Sequence, residues 1–322
     1  MGSVKHLSAW TFALTPLLLL MLAAPGGALA AENLTALSAS TMQQIINTSK
    51  PSDWRVLNPQ DTLYMDLPQG RVVIELDPAY APLHVANIRT LAREHYWDGL
   101  AIVRVQDDFV TQWADPAAET QHPRHPPRPL GKAKATLPAE FERNITPGLA
   151  FTRLPDGDVY APEVGFSDGF PVARDPKTGK TWMVQCYGTV AVGRDNAPYS
   201  GPGTELYAVI GQAPRQLDRN TAVVGRVVQG MQYLAALPRG NGPLGFYQNP
   251  AHQTKILRLR LASELPPSQR LPLEVMRTDT PAFAALIESR RNRSNPWFHH
   301  KAGRIGVCNV PLPVRAVPAN NK

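Results

Sequence analysis

Short runs in which apolar and polar residues alternate dominate the middle of the chain. Residues 62–67 and 71–76 alternate on either side of Gln69 and Gly70, which predicts a β-hairpin. Residues 100–105 form a denser apolar, β-branched run and read as a buried strand. Gln106, Asp107 and Asp108 break that run, and a second short strand follows at 109–112. Further strands are expected at 225–228 and 255–262, the last with Ile256, Leu257, Leu259 and Leu261 alternating against Arg258 and Arg260. The period changes to that of a helix at 82–94, opened by Pro82 with Val85, Ile88, Leu91 and Ala92 on one face, and again at 231–237.

The flanks are patterned differently. Residues 31–59 begin as a helix, with Ser38 or Ser40 as the cap and Lys50-Pro51 as the stop. Residues 113–187 include a proline-rich coil around His122 and His125, which cannot form regular structure. Strands follow at 145–154 and 181–187, with turns near Gly157 and Gly179. After 265–267 a helix is predicted over 281–291 and a strand over 303–310 carrying Cys308. A tail with that apolar content should dock rather than dangle.

Composition changes the picture in three ways. Lys5 and His6 precede an apolar stretch from Trp10 to Ala24, and Ala28-Leu29-Ala30 offers small residues for cleavage, so residues 1–30 read as a secretory leader. The expected destination is the periplasm, with full secretion as the alternative, and no stable membrane insertion after cleavage. In an exported chain the pair Cys186 and Cys308 predicts a disulfide, against the alternative of two buried thiols. The net charge is +7, yet no Lys/Arg run or aromatic-interleaved basic stripe stands out, so nucleic acid is not an expected partner. His84 and His95, without ligand-spaced partners, read as surface residues, and no metal site is expected. Asn33, Asn47, Asn144 and Asn292 lie in glycosylation-type triplets, which such short patterns often form by chance.

Arg104 is the odd residue, a guanidinium inside an apolar strand, where it is costly unless its charge is used. The spacing from Arg104 to Phe109 and Gln112, preceded by Asp98-Gly99, resembles the cyclophilin family of peptidyl-prolyl isomerases. The blocks 70–76, Ala81-Pro82, 85–91, 188–194, 203–207 and 223–231 follow in that family's order. The resemblance implies a mainly β fold: a closed eight-stranded antiparallel barrel capped by two helices, over residues 62–262. To it are added an N-terminal extension (31–61), an insertion within 113–187 and a C-terminal extension (263–322). It also implies rotation about Xaa-Pro bonds of polypeptides by a monomer, with no cofactor. Arg104 matches the catalytic position. Phe109, Val110, Tyr207 and Leu217 match the proline pocket, and Gln112, Gly193 and Arg194 match positions that hold the substrate backbone.

Five departures from the family pattern stand out. It would have Met at Val110, Gln at Glu205, Phe at Tyr207 and His at Thr221, and the aromatic near Gln216 is absent too. Glu205 matters most, because a carboxylate there can pair with Arg104 and compete with substrate. Two rival readings therefore stand beside a folding isomerase: a module that binds proline peptides without useful turnover, and an envelope-assembly protein using the insertion and tail as its interface.

Overall fold

The computed structural model describes residues 41–120 and 126–318, so the expected leader and both His122 and His125 lie outside it. Strand β1 (Trp54–Val56) precedes the hairpin β2 (Thr62–Leu67) and β3 (Gly70–Leu76), then β4 (Ala101–Val105) and β5 (Val110–Ala114). The insertion supplies β6 (Arg143–Asn144), β7 (Thr152–Leu154), β8 (Glu163–Ser167), β9 (Phe170–Asp175) and β10 (Lys180–Met183). Strands β11 (Thr189–Val192), β12 (Leu206–Val209) and β13 (Val223–Gln229) return to the main sheet, followed by β14 (Thr254–Lys255) and β15 (Arg258–Leu261). The tail adds β16 (Leu273–Met276) and β17 (Val314–Ala316).

The largest sheet is antiparallel throughout and runs β14-β4-β5-β12-β11-β13-β3-β2-β15. Its two ends belong to one stretch of chain. Ile256 exchanges backbone bonds with Gly99 and Leu100 beside β4, while the amide of Leu257 donates to Asp66 of β2. The sheet therefore closes on itself, and β14 and β15 are two halves of one interrupted strand, which makes eight. Leu63, Met65, Ile74, Trp113, Val192, Ala208 and Leu259 fill the interior. Helix Pro82–Arg93 contributes Val85, Ile88 and Leu91 to this core, and the short helix Met231–Ala235 contributes Leu234.

Helix Pro82–Arg93 has no side-chain cap of its own, because Ala81 precedes it. Glu140 of the insertion performs that role: its carboxylate accepts from the amides of Leu83 (3.0 Å) and His84 (2.9 Å) and bonds His84 Nδ1 at 2.6 Å. His84 is thus buried and partnered, not a surface residue as its isolation in sequence implied. Burial alone would raise the Glu140 carboxyl, but these donors outweigh it and hold the group below the usual range.

The insertion sheet, ordered β6-β10-β9-β8-β7, is buried on both faces. Phe170 and Val172 of β9 and Met183 of β10 pack on Val110, Tyr207 and Val209 on the outside of the barrel. Ala173, Val164, Phe166 and Trp182 join Ile45, Trp54, Phe283 and Leu286 from the two extensions in a second core. The extensions meet again in the sheet β1-β16-β17. Cys186 and Cys308 form a disulfide, Cα to Cα 5.0 Å, 122 residues apart.

Several boundaries differ from expectation. The N-terminal helix is Met42–Thr48, capped by Thr41 in a capping box with Gln44, not by a serine. Strand 145–154 shrinks to β7, since Pro147 and Gly148 cannot continue a ladder. The run 181–187 is strand only through Met183. Residues 303–310 form no strand. Ile305, Val307 and Val310 fill the second core from an irregular segment with a 3-10 turn, and the pairing strand is β17.

Candidate active site

Arg104 reaches solvent because β4 carries a bulge. Ile102 pairs with Trp113 and Arg104 with Gln112, so Val103 is an extra residue against β5. Strict alternation would put Arg104 on the face of Ile102, which is fully buried in the barrel. With the bulge, Ile102 and Val105 both join the core, and Arg104 lies on the outer wall beside Gln112.

The guanidinium is held in place by its neighbours. Its Nε donates to the Leu244 carbonyl at 2.6 Å, Nη1 to Gln112 Oε1 at 3.0 Å, and Nη2 to Gln106 Oε1. Its central carbon lies 5.4 Å from the ring centres of both Phe109 and Phe246. Phe109 sits in the tight turn between β4 and β5, not in a strand. That turn needs a positive φ at Asp108 (50°), a conformation aspartate tolerates, and Asp108 Oδ1 accepts from the Gln212 amide at 2.7 Å.

Gln112 links Arg104 to the main departure. While its oxygen accepts from Arg104, its Nε2 donates to Glu205 Oε1. Gln112 thus bonds both Arg104 and the Glu205 carboxylate. Gly193 makes room for this arrangement, because a Cβ there would come 2.2 Å from Glu205 Oε1. Arg194 donates from Nε to the Asn220 carbonyl (2.8 Å) and from Nη1 to that of Asp195 (2.6 Å), and it stands over Phe141 of the insertion.

The apolar wall is Phe109, Val110, Tyr207 and Leu217. Tyr207 is buried, and its hydroxyl is satisfied by Thr221 Oγ1 at 2.9 Å and Gln185 Nε2 at 3.1 Å. Two departures from the family pattern thus bond each other, and the insertion supplies the third partner. Burial raises the Tyr207 phenol to about 12, so it stays neutral. Leu217 ends a 3-10 turn whose Arg215 bonds Asp158 of the insertion at 2.7 and 2.9 Å and Asp218 at 2.7 Å.

Arg104, Phe109, Val110, Gln112, Gly193, Arg194, Glu205, Tyr207, Leu217 and Thr221 all line one cleft of about 760 Å³. Asp195, Asn196 and Asn220 extend its rim. Sequence reasoning missed the residues that hold the cleft rather than line it: Leu244, Phe246, Gln185, Asp158 and Arg215. All but Arg215, which shares the 3-10 turn of Leu217, come from segments distant from the wall. Chemically, the cleft offers a fixed cation beside an apolar pocket and a polar rim.

Comparison with known proteins points the same way. The family model for cyclophilin type peptidyl-prolyl cis-trans isomerase/CLD matches residues 62–261. A probable peptidyl-prolyl cis-trans isomerase of Brucella suis is 32% identical over 149 residues, 44% of this chain and 71% of that protein. A putative thylakoid lumen peptidyl-prolyl cis-trans isomerase of Synechocystis is 23% identical over 192 residues, 58% of this chain and 46% of that one. The crystal structure of cyclophilin AquaCyp293 from Hirschia baltica superposes with a TM-score of 0.64 at 27% identity, covering 86% of this chain and 97% of that one. That match reaches well beyond 62–261 into the flanking extensions.

Proposed function

The chain belongs to the cyclophilin-type peptidyl-prolyl cis-trans isomerases, and from that premise we propose that Arg104 is the group that turns Xaa-Pro bonds in this cleft. Amide resonance sets the barrier at about 20 kcal/mol, and the uncatalysed change takes tens of seconds. No bond is broken, so the site has to bind the twisted amide better than either planar form. As the bond twists, the prolyl nitrogen loses conjugation and becomes a hydrogen-bond acceptor. A guanidinium aimed at it stabilises only that state. Phe109, Val110, Tyr207 and Leu217 receive the proline ring, while Gln112, Glu205, Gly193 and Arg194 bond the flanking backbone.

The observation that carries this reading is the placement of Arg104. A bulge, two glutamines and the Leu244 carbonyl hold one arginine at the edge of an apolar pocket. Such fixed geometry supplies electrostatic stabilisation without reorganisation during the reaction. Substrates are proline-containing segments of exported polypeptides, and the protein assists their folding in the periplasm. The apolar leader at 1–30 and the paired cysteines support that destination. Among the described residues no helix is long and apolar enough to cross a membrane.

A protease-coupled isomerisation assay on a panel of Xaa-Pro peptides tests the reading. Acceleration above the thermal rate is expected. Binding of the same peptides without acceleration would replace it with a proline-peptide binding module.

A further inference from the structure

The charge of this chain is concentrated in its tail. Overall 33 Lys/Arg face 26 Asp/Glu, a net of +7. Residues 289–322 hold seven Lys/Arg and no Asp or Glu, which leaves residues 1–288 balanced at 26 of each. Arg291 is neutralised by Asp156 and Glu288, and Arg315 by Glu274. Arg290, Arg293, Lys301 and Arg304 have no ion pair among the described residues. His299 and His300 are exposed between them.

An aromatic tip projects from the same loop. Trp297 is 77% exposed and packs edge-on against Phe298, ring centres 4.9 Å apart. The Arg293 guanidinium lies 4.8 Å from the centre of the Phe298 ring. Both ends of the loop are fixed. Helix Pro281–Arg291 is anchored by Phe283, edge-on to Phe166 at 5.0 Å, and beyond the loop Ile305 and Val307 are buried before Cys308 enters the disulfide. A single exposed aromatic is ordinary. An exposed Trp packed on a neighbouring Phe, in a loop that also carries Arg293, Lys301 and Arg304 and is anchored at both ends, is not.

We propose that loop 292–304 docks this protein on an anionic lipid surface, with Trp297 and Phe298 entering the headgroup boundary and Arg293, Lys301 and Arg304 facing lipid phosphates. Tryptophan favours that boundary because one side of the indole is apolar and its N–H stays wet. Clustered cations add attraction that falls off within a Debye length. Nucleic acid fits less well. It calls for separate aromatic platforms along a basic groove, whereas these two rings pack on each other at a tip.

The test is flotation of the chain from Ala31 onward, without the leader expected at 1–30, with vesicles of phosphatidylglycerol in phosphatidylcholine, against phosphatidylcholine alone. The account expects binding to anionic vesicles about tenfold above neutral ones, weakening as salt rises from ~0.1 to ~0.5 M. Trp297→Ala with Phe298→Ala, and separately Arg293→Gln with Lys301→Gln and Arg304→Gln, should each abolish that preference while keeping the wild-type far-ultraviolet circular dichroism. Salt-insensitive binding by wild type, or equal binding by wild type and both variants, overturns the proposal. So does tighter, variant-sensitive binding to a duplex DNA probe, which would make the loop a nucleic-acid contact.

Discussion

At the residue scale, what was legible in the sequence was the identity of the cleft lining. Arg104, Phe109 and Gln112 stand out because a charge, a ring and an amide interrupt an apolar run at fixed spacing. What was not legible is how they converge, because a bulge is a property of pairing and Val103 looks like any strand residue. Glu205 shows the same limit: its charge was visible, while its bond to Gln112 was not. Glu205→Gln keeps an oxygen for Gln112 and removes a negative charge from the neighbourhood of Arg104. The isomerisation kcat/KM should rise about threefold, the scale of a partly exposed charge interaction. A fall would mean that the carboxylate positions Gln112. Asp77 gives a residue-scale prediction on stability. Burial, opposed by the Ala79 amide, raises its carboxyl to about 7. The folded state therefore holds a proton that the unfolded chain releases near its ordinary value of 3.8. Stability then falls as pH rises from about 4 to 7, by up to about 4 kcal/mol, and levels off above. Asp77→Asn, which keeps an acceptor for the Ala79 amide, should flatten that slope in denaturant titrations across the window. An unchanged slope would assign it elsewhere.

At the scale of elements, β11 and β12 came only with the family resemblance, while apolar patterning and helical spacing predicted most barrel strands and both capping helices, since one face of each is buried in a single core. They failed where a segment meets two environments or none. Residues 303–310 have strand-like apolar spacing but form no strand, filling the second core with Ile305, Val307 and Val310 and carrying Cys308 into the disulfide. Helix Pro82–Arg93 shows a second kind of blindness. Its sequence lacks a cap, and Glu140, more than fifty residues away, completes it. Glu140→Ala should cost about 1–2 kcal/mol, because it strips two amides and His84 of their acceptor. Since the folded-state pKa of Glu140 is depressed, its contribution is present at neutral pH and is lost as pH falls through the acid range. Equilibrium unfolding of the variant at pH 7 and pH 4 checks both statements: the deficit should shrink at pH 4. A deficit equal at both pH values would show that the charge plays no part.

At the scale of the whole molecule, the insertion is a middle layer between the barrel and the terminal extensions, not an appendage. Its Gln185, Asp158 and Phe141 support the site residues Tyr207, Leu217 and Arg194 from behind. Cysteine count and the expected export predicted the bridge that ties this layer to the tail, but not the layering, which depends on both faces of the insertion sheet being apolar. The disulfide closes a loop of 122 residues, for which chain entropy gives about 5 kcal/mol. Cys186→Ser with Cys308→Ser should therefore lower the melting temperature by roughly 10 °C. A shift under about 2 °C would show that packing alone holds the tail. The barrel fixes one guanidinium at the edge of one pocket, and its effect on rate tests the proposed role most directly. The measurement compares Xaa-Pro isomerisation by wild type, Arg104→Ala and Arg104→Lys, with folding verified by circular dichroism. Loss of a charged donor aimed at the reacting nitrogen should raise the barrier by about 3 kcal/mol, roughly a hundredfold in rate. Lysine should not restore it, being a point donor without the planar fork. Full activity in a folded Arg104→Ala variant would contradict the account.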